Sequence, residues 1–508
     1  MTSASSSSAP GDADRTPRLP RGLIARYATG SLGTGGFGTL PGLVLVYYLT
    51  DSLGVTAIVA GLVVTLAKVW DVLIDPIIGG LSDRALALNG TRRGPMLIGA
   101  IGLPIAFILT FAVPTGLTPA ASAIWVLVAF VAAATFFSLF QVPYIALPAE
   151  LTSGYRERTR LLTWRVVVLT LAILIFGAGG PEIRGMFPDD SALGYLVMAI
   201  AAALLLCTGL VIGASVAPRQ APLPASTRDQ APRPGPLSVR HYREGFAALR
   251  DSQPFRALLG TFMLQGLATG LMLAGAQFVA AWVLRDERAV TALFLALIAP
   301  ALLVTPIWRI VADRIGKERA YRLATLLFLI ATVLLVAMLW SPGWWVVAPV
   351  ALAGAAYAGL QALPLAMLPD VISHDAAGGA RERVAPAGPE ADTVVPAAPE
   401  HRGEHRGEHR GEARSGVFGG VWTAGETTGM ALGSTALTIV LALTGYLEST
   451  SGVTVQQPGS AIVGIVLSFS LLPAILMFAS LFTLNRYRLR ESDIVGHAPP
   501  QDPAGAEQ

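Results

Sequence analysis

Residues 57–80 read AIVAGLVVTLAKVWDVLIDPIIGG, an apolar run interrupted by one lysine and two aspartates. A helix of this length rises roughly 36 Å, enough to cross a hydrocarbon core of about 30 Å. Lys68, Asp71 and Asp75 are spaced i, i+3 and i+7, so their side chains share one helix face. Asp71 stands roughly 18 Å along the axis from Asp83, which places it near mid-membrane. A charge at that depth costs about 2.5–3.5 kcal/mol on insertion scales, so this face must turn to protein or water.

Similar runs recur along all 508 residues, which are 53% hydrophobic and 14% charged. Soluble domains carry about 25% charge, so the composition is that of an all-α membrane protein. Twelve spans can be drawn, at about 22–50, 57–80, 94–114, 121–147, 161–180, 193–215, 255–283, 290–312, 320–340, 344–368, 415–443 and 459–484. Connections on one side hold Arg84, Arg92, Arg93, Arg156, Arg158, Arg160, Arg219, Arg240, Arg314, Lys317, Arg319 and Arg486, whereas the other side offers Arg184, Arg285 and Arg288. The positive-inside rule then puts both termini in the cytoplasm of a bacterial-type plasma membrane.

The halves look related. DPIIGGLSDR (75–84) has a counterpart in TPIWRIVADR (305–314), and QVPYIALPAE (141–150) in QALPLAMLPD (361–370). The expected organisation is a disordered tail (1–21), a six-helix bundle (22–215), a linker with a short amphipathic helix (216–254), a second bundle (255–484) and a C-tail (485–508). Within the second bundle, 376–414 is low-complexity and includes HRGEHRGEHRGE. His401, His405 and His409 invite a metal reading, but a Gly-broken, charge-balanced repeat is expected to be a solvated loop, so no metal site is assigned. The single cysteine, Cys207, falls in an apolar run and excludes an internal disulfide.

Lys68 and Asp71 can form a structural ion pair, which leaves Asp75 one turn deeper without a cation on its own helix. Two carboxylates on an inward face can instead bind a monovalent cation or share a proton. Thr305 stands where Asp75 stands in the first half, so the carboxylate pair is not duplicated. One further acid is deep, Glu426 in VFGGVWTAGETTGMALGS, read as a neutral hydrogen-bonded acid, a second protonatable site or a partner for Lys68. Gln141, Tyr144, Trp164, Gln361 and Trp422 stand at positions suited to line a cavity for a polar ring-shaped ligand. No GxxxxGK[ST] motif is present and GTGGFG (33–38) lies within span 1, so neither ATP-driven transport nor a nucleotide loop is read. The chain reads as neither an enzyme nor a nucleic-acid binder, and it calls for no cofactor.

WDVLIDPIIGGLSDR followed by TRRGPML resembles the WDxxxDPxxGxxxDR…RxGR signature of the glycoside–pentoside–hexuronide:cation symporters, a branch of the major facilitator superfamily. VPYIALPAELTSGYRERTRLLTWR is similar to that family's PYxALxxELTxDYxERTRLxxxR stretch. LPDVISHD and RSGVFGGVWTAGETTGMALG are similar to its last conserved region. The resemblance implies two six-helix bundles of the major facilitator fold, working as a monomer in the lipid bilayer on a small-molecule substrate. It further implies symport of a sugar or glycoside by alternating access, coupled to Na+ or H+. Asp71 and Asp75 match its cation-binding acids, Ser138 a hydroxyl contributor, and Lys68 a neighbouring base.

The departures bear on the cargo. Gly35 falls where sugar-binding members carry a helix 1 aspartate, Gln141 replaces a helix 4 carboxylate, and Ile145 replaces a tryptophan. Ile74 replaces an asparagine, and Glu426 inverts the charge of a lysine. An amphiphile, lysolipid-like or drug-like, is therefore the alternative substrate, and a non-transporting membrane protein the third reading. Asp83, Arg84, Arg92, Glu150, Glu157, Arg158, Asp313 and Arg314 are expected to form cytosolic gate pairs, or for some arginines to serve orientation alone.

Overall fold

The computed structural model describes residues 18–152, 154–221, 250, 252–384, 401–450 and 455–487. Twelve helices among them are long and apolar enough to cross a membrane. They are α1 Arg21–Asp51, α2 Ala57–Asn89, α3 Arg93–Phe111, α4 Pro119–Leu151, α5 Arg156–Gly185 and α6 Ser191–Ala214. The second six are α7 Gln253–Val283, α8 Ala289–Ile315, α9 Lys317–Leu339, α10 Trp344–Ile372, α11 Val421–Leu443 and α12 Gly459–Asn485.

Local chemistry sets several boundaries. Thr118 caps α4 by accepting the Ala121 N–H at 3.3 Å, with Pro119 at the first helical position. Asp190 does the same for α6 through Leu193 at 2.9 Å. Gly90, at φ +69°, ends α2 in the left-handed region open to glycine. The helix thus runs nine residues past the Gly80 expected from hydropathy. Hydropathy marks only the part of a helix that meets hydrocarbon, whereas α2 continues as a polar rod carrying Asp83 and Arg84.

The first bundle packs α1 on α5, α2 on α4, and α3 on α4 and α6. The second packs α7 on α11 and α12, and α10 on α8 and α9. The bundles meet along α2–α11, α5–α8 and α1–α7. Backbone is helical as far as Val384 and again from His401, so helix enters both sides of the segment that composition assigns to a loop. Residues 385–400, the expected amphipathic helix at 241–249 and most of both tails lie outside the described residues.

Glycines let α7 and α11 touch backbone to backbone, the close approach that small residues permit in membranes. A Cβ on Gly433 would lie 2.4 Å from the Leu271 nitrogen, and one on Gly270 would lie 2.4 Å from the Met430 oxygen. Gly433→Val is therefore expected to lower the thermal unfolding midpoint in detergent, at a cost of about 1–3 kcal/mol from overpacking. Gly260→Val on the same α7, where a Cβ meets nothing within 4 Å, is the matched control expected to leave the midpoint in place.

Candidate functional site

Asp71 and Asp75 flank the centre of α2, whose midpoint is Leu73. Asp71 is buried, and its Oδ1 accepts the Ser138 hydroxyl of α4 at 3.1 Å. Lys68 Nζ lies 3.7 Å from the other Asp71 oxygen. The Asp75 carboxyl lies within reach of Ser138, Asp71 and Lys68. The Trp70 indole donates to Thr135 at 2.8 Å and fastens α2 to α4 beside this cluster.

Backbone oxygens add to it. Pro76 and Pro143 lie inside α2 and α4 and have no N–H to give. The carbonyls four residues earlier, of Val72 and Leu139, therefore lose their helical donors right beside the acids and the serine. A group of carboxylates, a hydroxyl and freed carbonyls is hard-oxygen chemistry, suited to an alkali cation or a proton.

The expected substrate residues separate into groups. Gln141 accepts the Thr34 hydroxyl at 2.7 Å and joins α4 to α1. Gln361 donates to the Tyr357 hydroxyl at 2.6 Å within α10, and Glu426 of α11 stands within electrostatic reach of Tyr357. Ile145 and Trp164 are exposed. Gly35 and Tyr144 are closely packed against neighbouring residues. A Cβ on Gly35 would lie 2.7 Å from the Ala172 Cβ and 2.8 Å from the Leu169 oxygen, so α5 fills the space a helix 1 aspartate would need. Tyr144 is 0% exposed; its hydroxyl donates to the Tyr27 carbonyl at 2.6 Å, and its ring stacks on Tyr27 and Phe140. Trp422 is likewise packed, stacked on Phe262 with centroids 4.4 Å apart.

Arg165, the last residue of the stretch VPYIALPAELTSGYRERTRLLTWR, has no role of its own among the expected site residues. Its guanidinium sits 5.4 Å over the Tyr144 ring, and its Nε is buried with no partner among the described residues. A base nine residues into α5 was a detectable signal of the same kind as Asp71.

The basic end is braced within each bundle. Arg92 pairs with Asp83 at 2.6 Å and Glu150 at 2.5 Å; burial opposes its charge, but Glu150 and Asp83 hold its pKa above the ordinary arginine value. Lys317 pairs with Asp370 at 2.7 Å. Glu157 receives Leu19 N–H and Arg160, while Arg158 reaches the Thr152 carbonyl at 3.3 Å. Arg84, Asp313 and Arg314 are exposed. The ion pairs found at this end, Arg92–Asp83, Arg92–Glu150, Arg160–Glu157, Lys317–Asp370 and Arg322–Glu318, each lie within one bundle.

The opposite end is latched across the bundles. Tyr446 donates to Asp51 at 2.5 Å, and Glu448 accepts the Ala57 N–H at the start of α2 at 2.9 Å. Ser449 N–H donates to the Thr50 carbonyl at 3.0 Å, and Leu53 forms a bridge with Thr450. Arg184, buried against the rings of Tyr47 and Tyr195, pairs with Glu287 at 2.5 Å. The hydroxyls of Thr65 and Thr435 bond across the α2–α11 seam.

Two six-helix bundles that meet along their seams and are tied across one end have the architecture of the major facilitator class. A crystal structure of a D-xylose–proton symporter shares this fold with a TM-score of 0.60 at 12% identity, over 91% of this chain and 96% of that one. The chain belongs to the family described as MFS/sugar transport protein, whose model matches residues 26–388 and 405–491, and to its glycoside–pentoside–hexuronide branch of symporters. An uncharacterized symporter of Synechocystis is 25% identical over 69% of this chain and 78% of its own. The mouse sodium-dependent lysophosphatidylcholine symporter 1 is 24% identical over 68% and 69%.

The latch can be probed by chemistry. In a Cys207→Ser background, Thr435→Cys is expected to react slowly with a maleimide that cannot cross the membrane, applied from the latched side. Adding Tyr446→Phe and Arg184→Gln removes two cross-bundle ties, and labelling should accelerate roughly five- to tenfold.

Proposed function

We propose that this protein is a cation-coupled symporter of a sugar or glycoside, working by alternating access, with Asp71, Asp75 and Ser138 as the ion site. The observation that carries this reading is the convergence of two acids, a hydroxyl and Lys68 at the centre of α2, where lipid would not tolerate them unpartnered. On the orientation expected from the arginine distribution, with the basic end and both termini in the cytoplasm, the latched end faces outward. The arrangement is then closed toward the outside by Asp51–Tyr446 and Arg184–Glu287. Rocking of the bundles about the α2–α11 and α5–α8 seams would open that latch and bring the basic ends together.

Lys68 has a part in the cycle. Its ammonium neutralises Asp71 when the site is empty, and an arriving cation or proton competes for the same carboxyl. That exchange changes the charge on the face of α2 beside the seam to α11, which couples ion occupancy to bundle position. The substrate would lie between Gln141–Thr34 of one bundle and Gln361–Tyr357 of the other. A lysolipid-like substrate is the second reading, favoured by the absence of space for a carboxylate at Gly35 and by the mouse relative.

Proteoliposomes given an imposed sodium or proton gradient should accumulate a labelled glycoside or hexuronide. Asp71→Asn and Asp75→Asn should each abolish gradient-driven accumulation, and Ser138→Ala should raise the half-saturating ion concentration roughly tenfold, the loss of one hydrogen bond to a charged group. Accumulation that responds to the gradient equally in the aspartate variants would count against the ion site. Competition by lysolipids with none by sugars would move the cargo to the second reading.

A further inference from the structure

A cavity of about 400 Å³ lies at the latched end of the second bundle, where the end of α7, the α9–α10 turn and the start of α12 meet. Its lining includes Val283, Arg285, Met338, Pro342, Val463 and Val466. None of the ion-site residues lines it, nor do Thr34, Gln141, Tyr357 and Gln361. Trp282, which also lines it, meets the ring of Tyr446 edge to face with centroids 6.4 Å apart, so the cavity adjoins the latch. The volume is that of a small-molecule site. Val463 is exposed, so the cavity reaches the surface of the bundle.

Tryptophans mark its level in the membrane. The turn that supplies Met338 and Pro342 also carries Trp340, Trp344 and Trp345, all three exposed. Exposed tryptophans gather where hydrocarbon gives way to headgroups. An apolar cavity at that boundary has room for an acyl chain whose head stays at the surface.

Arg285 is the charged residue of the lining. It is exposed, and no ion pair between described residues includes it. The acids that follow it in sequence are engaged elsewhere: Asp286 accepts the Arg288 N–H at 3.0 Å, and Glu287 pairs with Arg184. The backbone that presents Arg285 is unusual. The end of α7 widens into a π turn at Val279–Val283, a form frequent at functional sites. Arg285 then takes φ +55°, a left-handed conformation that glycine ordinarily supplies at a helix end. No other non-glycine residue among those described has a positive φ. A side chain kept at a strained position points to a use for that side chain.

We infer that this cavity is a phospholipid site, in which Arg285 binds the phosphodiester and the apolar walls hold an acyl chain. The guanidinium fork matches two phosphate oxygens at once. A free phosphate would leave the apolar walls empty, and a chain without phosphate would leave Arg285 unused. Phosphatidylglycerol meets both needs.

Native mass spectrometry of the full chain in detergent tests both halves of the site, with dioleoyl phosphatidylglycerol, dioleoylglycerol and inorganic phosphate as probes. The wild-type protein should bind phosphatidylglycerol roughly ten- to a hundredfold more tightly than dioleoylglycerol, the worth of one hydrogen-bonded charge. Arg285→Gln should lose that preference while binding dioleoylglycerol as before, which shows the cavity intact. Arg288→Gln removes an exposed neighbouring charge outside the lining and should keep the preference. Val463→Trp, which fills the cavity, should weaken both lipids together. Equal binding of the two lipids overturns the inference, as does a preference that survives Arg285→Gln or falls equally in Arg288→Gln. Undiminished binding of both lipids to Val463→Trp also overturns it. Inorganic phosphate binding as tightly as phosphatidylglycerol would make this a site for free anions and overturn the lipid assignment.

Discussion

An ionised carboxylate in the middle of a hydrocarbon layer is stable only if hydrogen-bond donors or cations surround it, and α2 places two such acids on one face. The sequence spacing turns Asp71 and Asp75 to one face of α2. Ser138 and Lys68 then supply a donor and a counter-charge to Asp71, and the prolines at 76 and 143 free backbone oxygens next to both acids. Because α2 also forms the seam with α11, whatever neutralises these acids acts where the two bundles meet. The acids and the seam between the bundles belong to the same rod.

The charges at the helix ends do different work. The repeated stretches 141–150 and 361–370 end in Glu150 and Asp370, and each of these acids pairs with a base at the start of the preceding helix, Arg92 just before α3 and Lys317 on α9. The duplicated feature is thus a brace between neighbouring helices inside each bundle. The cross-bundle ties are not duplicated and lie at the other end, in Asp51–Tyr446, Ala57–Glu448 and Arg184–Glu287. Rigid halves joined by a breakable latch are what alternating access requires.

Much of this was legible in the sequence because the membrane imposes strong rules. Span number follows from the length of apolar runs, and the proximity of Lys68, Asp71 and Asp75 follows from helical periodicity. Ser138 was reached only through family resemblance, since one serine in an apolar helix carries no signal of its own. The latch was not legible: Asp51 and Tyr446 are far apart in sequence, stand at loop edges, and meet only once the bundles are assembled. Tyr144 and Gly35 show the opposite failure. A tyrosine and a missing side chain looked available to a ligand, but Tyr27 and α5 had already taken up their surroundings. Residue type identifies what could bind; only packing decides which of those groups is left free.

The central claim is that Asp71 and Asp75 bind the coupling ion, and charge movement tests it without knowledge of the cargo. Purified protein reconstituted on a solid-supported membrane should give a transient current when sodium or proton concentration is stepped in the absence of any substrate. The account predicts that this current is saturable in the wild-type protein and absent from the Asp71→Asn, Asp75→Asn double variant. A transient of undiminished size in the double variant would contradict it.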